Sequence, residues 1–178
     1  TIDLLVNDDT IAIAKLLPNI NSIHTFSYKE KREKHWSQEK KIIQKIFRQY
    51  DLSINLTASD RSVIYSILAG KKSISAIEKK PQKSWWKKIF LTYFYYFDTD
   101  KHILLNNIEP LNLLNINQEL NNNFPEVSEH AINKVKRLLE ITKINKFIIF
   151  HPSAQYDFKI YPKHLRDKLL IELNTLEI

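Results

Sequence analysis

The sequence predicts an α/β protein: a Rossmann-like parallel sheet with flanking helices. Three observations carry this. Short apolar, β-prone runs alternate with stretches of helical periodicity along most of the 178 residues. The runs break into polar loops that lead into helix starts, as in Lys146–Pro162 (KFIIFHPSAQYDFKIYP), which is how an open parallel sheet is threaded. Finally, there is one glycine, Gly70. That excludes the Gly-rich dinucleotide fingerprint and the Walker A loop, both of which need several glycines for close phosphate approach. Any phosphate here must be met by side chains and helix ends.

In order along the chain, Thr1–Val6 is expected as a strand. Asn7–Thr10 supplies a turn with capping residues, and Ile11–Leu17 a short helix ended by Pro18. Ser22–Phe26 reads as a second strand. The charged run from Lys29 reads as a loop, followed by a helix from Trp36 through Ile43, Ile46 and Phe47, where apolar residues fall at helical spacing. Tyr50–Leu56 is expected as a buried strand. Arg61–Ala69 is then a helix with Val63, Ile64, Ile67 and Leu68 on its core face, ended by Gly70 in the left-handed position that favours glycine. Ser73–Ile77 makes the next strand.

Lys79–Phe97 places lysines before an aromatic-rich run too continuous for one helix face. A core helix with a buried segment after it is the main expectation, and a membrane-surface or nucleic-acid-stacking stretch the alternatives. Ile103–Asn115 is helical but interrupted at Pro110, Gln118–Phe124 is an Asn-rich loop, and Pro125–Val127 is extended. Ser128 caps a helix over Glu129–Ile141. Phe147–Phe150 is expected as a buried strand, and Lys163–Leu173 as a helix whose first turn suits Pro162. Thr142–Asn145 is the expected boundary, giving domains 1–145 and 146–178.

Composition narrows the partners. The formal charge is +7, with pI near 9.4, which favours anionic partners, although the Lys, Asn and Ile excess also suits plain genome composition. The absence of cysteine excludes disulfides and thiolate metal sites and is compatible with a cytoplasmic protein. No apolar run is long enough to span a bilayer. The absence of methionine reads as a fragment or a processed chain.

Candidate chemistry lies in the loops. Thr57–Arg61 (TASDR) follows a strand and opens a helix, so Asp60 and Arg61 are candidates to contact a polar substrate. The plainer alternative is that Ser59 or Asp60 caps the helix and Arg61 is solvated. Asp98-Thr99-Asp100 has the DxD form that holds a metal in some glycosyltransferases, but acidic residues before a helix are also favoured by capping and the dipole. Lys159 stands just ahead of a helix N-terminus, where free N–H groups already favour an anion. The six histidines show no paired metal spacing.

The segments YDLSINLTASDRS, SWWKKIF and FIIFHPSAQYDFKIYP, with the opening TIDLLVNDDTIAIAKLLPNINSI, resemble the lipopolysaccharide core heptosyltransferases (glycosyltransferase family nine), closest to the heptosyltransferase III branch. The resemblance covers most of the chain, weakly at Lys29–Glu39 and Asn117–Pro125. HPSA, followed by a lysine and an aromatic-Pro helix start, is its most specific piece.

This implies a GT-B fold in which 1–145 is the acceptor-side domain, lacking its first strand and catalytic loop, and 146–178 begins the donor-binding domain. The implied reaction moves heptose from ADP-heptose to the lipopolysaccharide inner core, with no metal or other cofactor. Ser153 matches the family's small hydroxyl residue near the donor phosphates, and Lys159 its donor-contacting lysine; Tyr161 replaces a tryptophan. The aspartate that serves as general base in the family would precede Thr1, so no catalytic residue is assigned. The implied partners are the sugar nucleotide, the lipopolysaccharide core acceptor and the anionic inner face of the cytoplasmic membrane, with no nucleic acid. The chain alone is expected to be inactive. The competing reading is a non-catalytic basic α/β module for anionic membrane or nucleic acid, or an inactive gene remnant.

Overall fold

The elements follow from where apolar residues can be buried. The computed structural model describes residues 1–33, 36–117, 127–154 and 157–175. It divides into two compact units, Thr1–Glu126 and Val127–Ile178.

In the first unit, β1 (Ile2–Asn7) turns through Asp8–Thr10 into the short helix α1 (Ile11–Ala14), and β2 (Ile20–Phe26) returns parallel to β1. Helices α2 (Tyr28–Glu33) and α3 (Ser37–Ile46) follow. β3 (Tyr50–Asn55), α4 (Asp60–Ala69), β4 (Gly70–Ile77), α5 (Pro81–Phe90) and β5 (Tyr93–Tyr96) then build a three-stranded parallel sheet in the order β3-β4-β5. Parallel pairing needs a crossover between successive strands, and α4 and α5 supply those two. α6 (Ile103–Leu113) is the last helix among the described residues of the unit.

The central strand β4 is the most buried, with Ile74, Ala76 and Ile77 fully enclosed. Val63, Ile77 and Leu91 form one core cluster under Trp86 and Phe94; Phe26, Ile42, Ile46, Tyr65 and Ala69 form another. Each buried Val, Leu, Ile or Phe side chain among them contributes about 1.5–3 kcal/mol.

Several expectations need correction. Residues 28–33 are helical, not loop: a charge-dense sequence hid a helix start at which Glu30 N donates to Ser27 Oγ in an N-cap-type bond (3.4 Å). β3 is only half-buried. On α4 the inward residues are Val63, Tyr65, Ser66 and Ala69, and Ile64 faces outward. Gly70 is extended (φ −100°) and begins β4, so it is not a left-handed cap. Pro110 lies inside α6 and is buried there. Lys79–Phe97 is a helix and an edge strand with a mixture of buried and exposed aromatics.

In the second unit, α7 (Glu129–Thr142) begins as expected, with Ser128 Oγ accepting from Ala131 N (3.3 Å), and ends at a left-handed Lys143. α8 (Lys163–Leu173) also forms, with Pro162 at its N-cap. The expected buried strand over Phe147–Phe150 does not. These residues carry no regular structure, and Ile149 is 84% exposed. Apolar, β-prone residues make a strand only when another strand satisfies their backbone. The expected loop at Gln118–Phe124 and the expected extension at Pro125 and Glu126 lie outside the described residues.

Candidate functional site

The carboxyl ends of β3 and β4 meet in a dense polar network. Asn55, the last residue of β3, donates from Nδ2 to Ser75 Oγ (2.8 Å) and to the Thr57 carbonyl (2.5 Å). Thr57, Ser59 and Ser62 join hydroxyls at 2.7 Å each. Ser59 is the N-cap of α4, accepting from Ser62 N at 3.4 Å. Every hydroxyl in this turn therefore has a partner, and the loop is held in one shape rather than left to solvent.

Asp60 sits at the first position of α4, where the helix dipole favours its charge. It is paired across the loop with Lys87 of α5, Oδ1 to Nζ 2.7 Å. Lys87 is fully buried and donates also to the Ala58 carbonyl (2.6 Å) and to Glu78 Oε2 (2.7 Å). One ammonium thus satisfies all three of its donors while tying the turn after β3 to the residue after β4. Sequence reading missed Lys87 within its lysine-rich run. Its signal was helical phase: Ser84 and Lys87, three apart, both face inward, away from Trp85 and Ile89.

Arg61 turns the other way. Its guanidinium stacks on Phe26 at 3.6 Å from the ring centroid, lies 5.1 Å from that of Tyr28, and donates to Tyr28 Oη at 3.4 Å. This joins the end of β2 to the start of α4 through a cation–π contact. Nη1 is buried without a hydrogen-bond partner.

Asp98-Thr99-Asp100 follows β5 on the same edge. Asp98 Oδ1 accepts from Asp100 N (3.0 Å), and Oδ2 pairs with Lys79 (3.2 Å). The Asp100 amide, followed by Lys79, holds the Asp98 carboxyl below its usual range. Buried Asn106 accepts from Asp98 N (2.8 Å) and donates to Asp98 O (2.9 Å). The cap of α6 is His102, whose Nδ1 accepts from Leu104 N, and not an aspartate. Among the described residues no group of three or more His, Cys, Asp or Glu is arranged to hold a metal ion.

Ser153 and Lys159 belong to the second unit. Ser153 lies exposed in the irregular run after Phe150. Lys159 ends a short turn, Asp157–Lys159, with Nζ 5.7 Å from the Phe158 ring centroid, ahead of α8. In the first unit, an open pocket lined by Asp51, Leu52, Lys71, Lys72, Tyr93 and Leu114 lies at the amino edge of the three-stranded sheet, opposite the loops that follow β3, β4 and β5.

No family model matches the sequence, and no curated protein does. In structure, the chain is similar to a glycosyl transferase of family 9 from Veillonella parvula DSM 2008, known from its crystal structure, with a TM-score of 0.66 and 16% sequence identity. The match covers 94% of this chain and 49% of that one, so the chain spans about half the length of the protein it resembles. The likeness shows the fold: parallel α/β units of the kind that glycosyltransferase uses. Among the described residues no helix is long and apolar enough to cross a membrane.

Proposed function

We propose that this chain is part of a glycosyltransferase that moves heptose from ADP-heptose to the inner core of lipopolysaccharide. The observation that carries the reading is the fold similarity to a family 9 glycosyl transferase over 94% of the chain. The sequence resemblance to core heptosyltransferases adds the sugar and the acceptor.

Transfer from a sugar nucleotide requires stabilising the diphosphate that leaves. Lys159, with Ser153 in the same loop, is suited to that. Pro162 gives no side-chain cap to α8, and α8 has no acidic residue in its first turn, so its positive end is open to an anion. On the acceptor side, Asp60 and the loop fixed by Lys87 offer polar contacts for saccharide hydroxyls. Residues 1–145 would serve the acceptor and 146–178 the donor, against the anionic inner face of the cytoplasmic membrane, with no metal or nucleic acid required.

The test uses protein expressed from the full open reading frame that encodes this chain. It should transfer heptose to a heptose-deficient core acceptor, and Lys159→Ala should lower kcat/KM about a hundredfold. The 178-residue chain by itself should be inactive. Transfer by that isolated chain would refute the half-site reading, and a full-frame protein that uses another sugar nucleotide instead would refute the heptose assignment.

A further inference from the structure

The outer surface of α5 exposes a group of large apolar side chains. Trp85 and Ile89, one turn apart, are 62% and 66% exposed, and Phe90 beside them is 62% exposed. Three large apolar side chains on one short helix are not satisfied by the core, which α5 meets through Ser84, Lys87 and Trp86.

The rim is cationic. Lys80 and Lys83 are exposed at the start of the helix, and no acidic residue occurs from Lys79 to Phe97. Lys88 arches over the edge of the sheet, its Nζ 5.3 Å from the Tyr96 ring centroid and 5.8 Å from that of Phe94. Tyr96 is itself exposed, so a tyrosine borders an apolar face that carries a tryptophan.

The geometry points to α5 as a bilayer-docking helix, lying in the plane of an anionic membrane surface with Trp85, Ile89 and Phe90 inserted at the headgroup–acyl boundary. Charge complementarity selects the occupant. Lysines flanking an apolar strip fit lipid phosphates above a hydrocarbon layer, and the indole and phenol suit the interface between them. This gives the membrane contact in the proposed function a specific surface, and it rests on that part of the reading but not on the sugar chemistry.

The experiment is co-sedimentation of the 178-residue chain with vesicles of phosphatidylcholine alone and of phosphatidylcholine with phosphatidylglycerol. Binding should require the anionic lipid and weaken with salt. Ile89→Glu with Phe90→Glu, both at exposed positions, should lower partitioning by at least about tenfold, with the circular dichroism spectrum unchanged. Lys83→Glu should lower it about fivefold or more. Binding that ignores lipid charge, or that survives the double substitution, would overturn the proposal. So would a dimer in solution that the double substitution splits, since a second copy would then cover the face. So would binding to single-stranded DNA alone that the same variants abolish, which would make the aromatics a stacking platform. No sugar nucleotide enters this assay, so it can fail while heptose transfer succeeds, or the reverse.

Discussion

Tyr50 donates its phenolic proton to Asp3 Oδ2 at 2.9 Å, joining the first residue of β3 to β1 across 47 positions of sequence. The two strands belong to separately paired sheets, so this bond is one of the polar links between them. Asn21 donates to the other Asp3 oxygen (2.9 Å), and His24 Nε2 lies 3.0 Å from Tyr50 Oη.

The link makes stability depend on pH at both extremes. Hydrogen bonds from Asn21 and then Tyr50 lower the Asp3 pKa below its ordinary 3.8. A depressed carboxylate contributes stability that is complete above the unfolded pKa and lost as pH falls through the folded one. Burial, followed by the Asp3 carboxylate, raises the Tyr50 pKa to about 12 from 10.0. That contribution is present below pH 10 and is lost as pH rises toward 12. Tyr50→Phe should therefore cost about 1.5 kcal/mol at neutral pH and flatten the alkaline limb of stability. Asp3→Asn should flatten the acid limb. Urea unfolding across pH 2–12 reads both.

Gly70 is required for space rather than for backbone conformation. A Cβ there would meet the Lys72 carbonyl oxygen, with Ser53 N at 2.7 Å and Ser53 Oγ at 2.9 Å. Two of these are backbone atoms of the β3–β4 pair and have little room to yield. Gly70→Ala should destabilise by about 2 kcal/mol, seen as a lower denaturation midpoint. An unchanged midpoint would mean that the strands part without cost.

The contrast at Gly70 shows what the sequence could and could not reveal. A lone glycine between a helix and a strand marked a special position, but a close approach between strands depends on register, which no local pattern displays. Alternation of β4 with α4 and α5 was legible because the short run 74–77, buried on both faces of the sheet, is flanked by stretches with apolar residues at helical spacing such as Val63 and Ile67. Phe147–Phe150 has the composition of a buried strand without the neighbours that would make it one. Asp60 and Arg61 were legible as the point where a strand's loop opens a helix, although both lie in the first turn of α4. Their actual partners, Lys87 and Phe26, are 27 and 35 positions away, the first hidden among other lysines and the second at the end of an ordinary strand.

Asn106 is the pin of the Asp98–Asp100 turn. It is buried and exchanges two hydrogen bonds with the Asp98 backbone. Asn106→Ala should leave that amide and carbonyl unpaired and cost about 2 kcal/mol. Because Asp98 is already engaged by Lys79 and the Asp100 amide, Mg²⁺ or Mn²⁺ should leave thermal unfolding unchanged. A metal-induced rise in Tm that disappears in Asp100→Asn would show the DxD to be a metal site instead.

Lys87 is the strongest single test of how the candidate acceptor loop is held. Its ammonium has left water entirely and is offset by the Ala58 carbonyl, Glu78 and Asp60, with the Trp86 ring centroid 5.7 Å away. Removing the cation strands the two carboxylates unequally. Asp60 is mostly exposed and regains water, whereas Glu78 is about two-thirds covered. The loss therefore falls on Glu78 and on the orphaned carbonyl, and Lys87→Met should destabilise by about 3 kcal/mol. Adding Glu78→Gln to Lys87→Met should recover part of that loss, because the stranded charge is gone. Glu78→Gln alone should cost less than Lys87→Met, since Asp60 still answers the buried cation. A double-mutant cycle in urea measures the coupling directly; additive effects would show that Lys87 acts on the loop without Glu78.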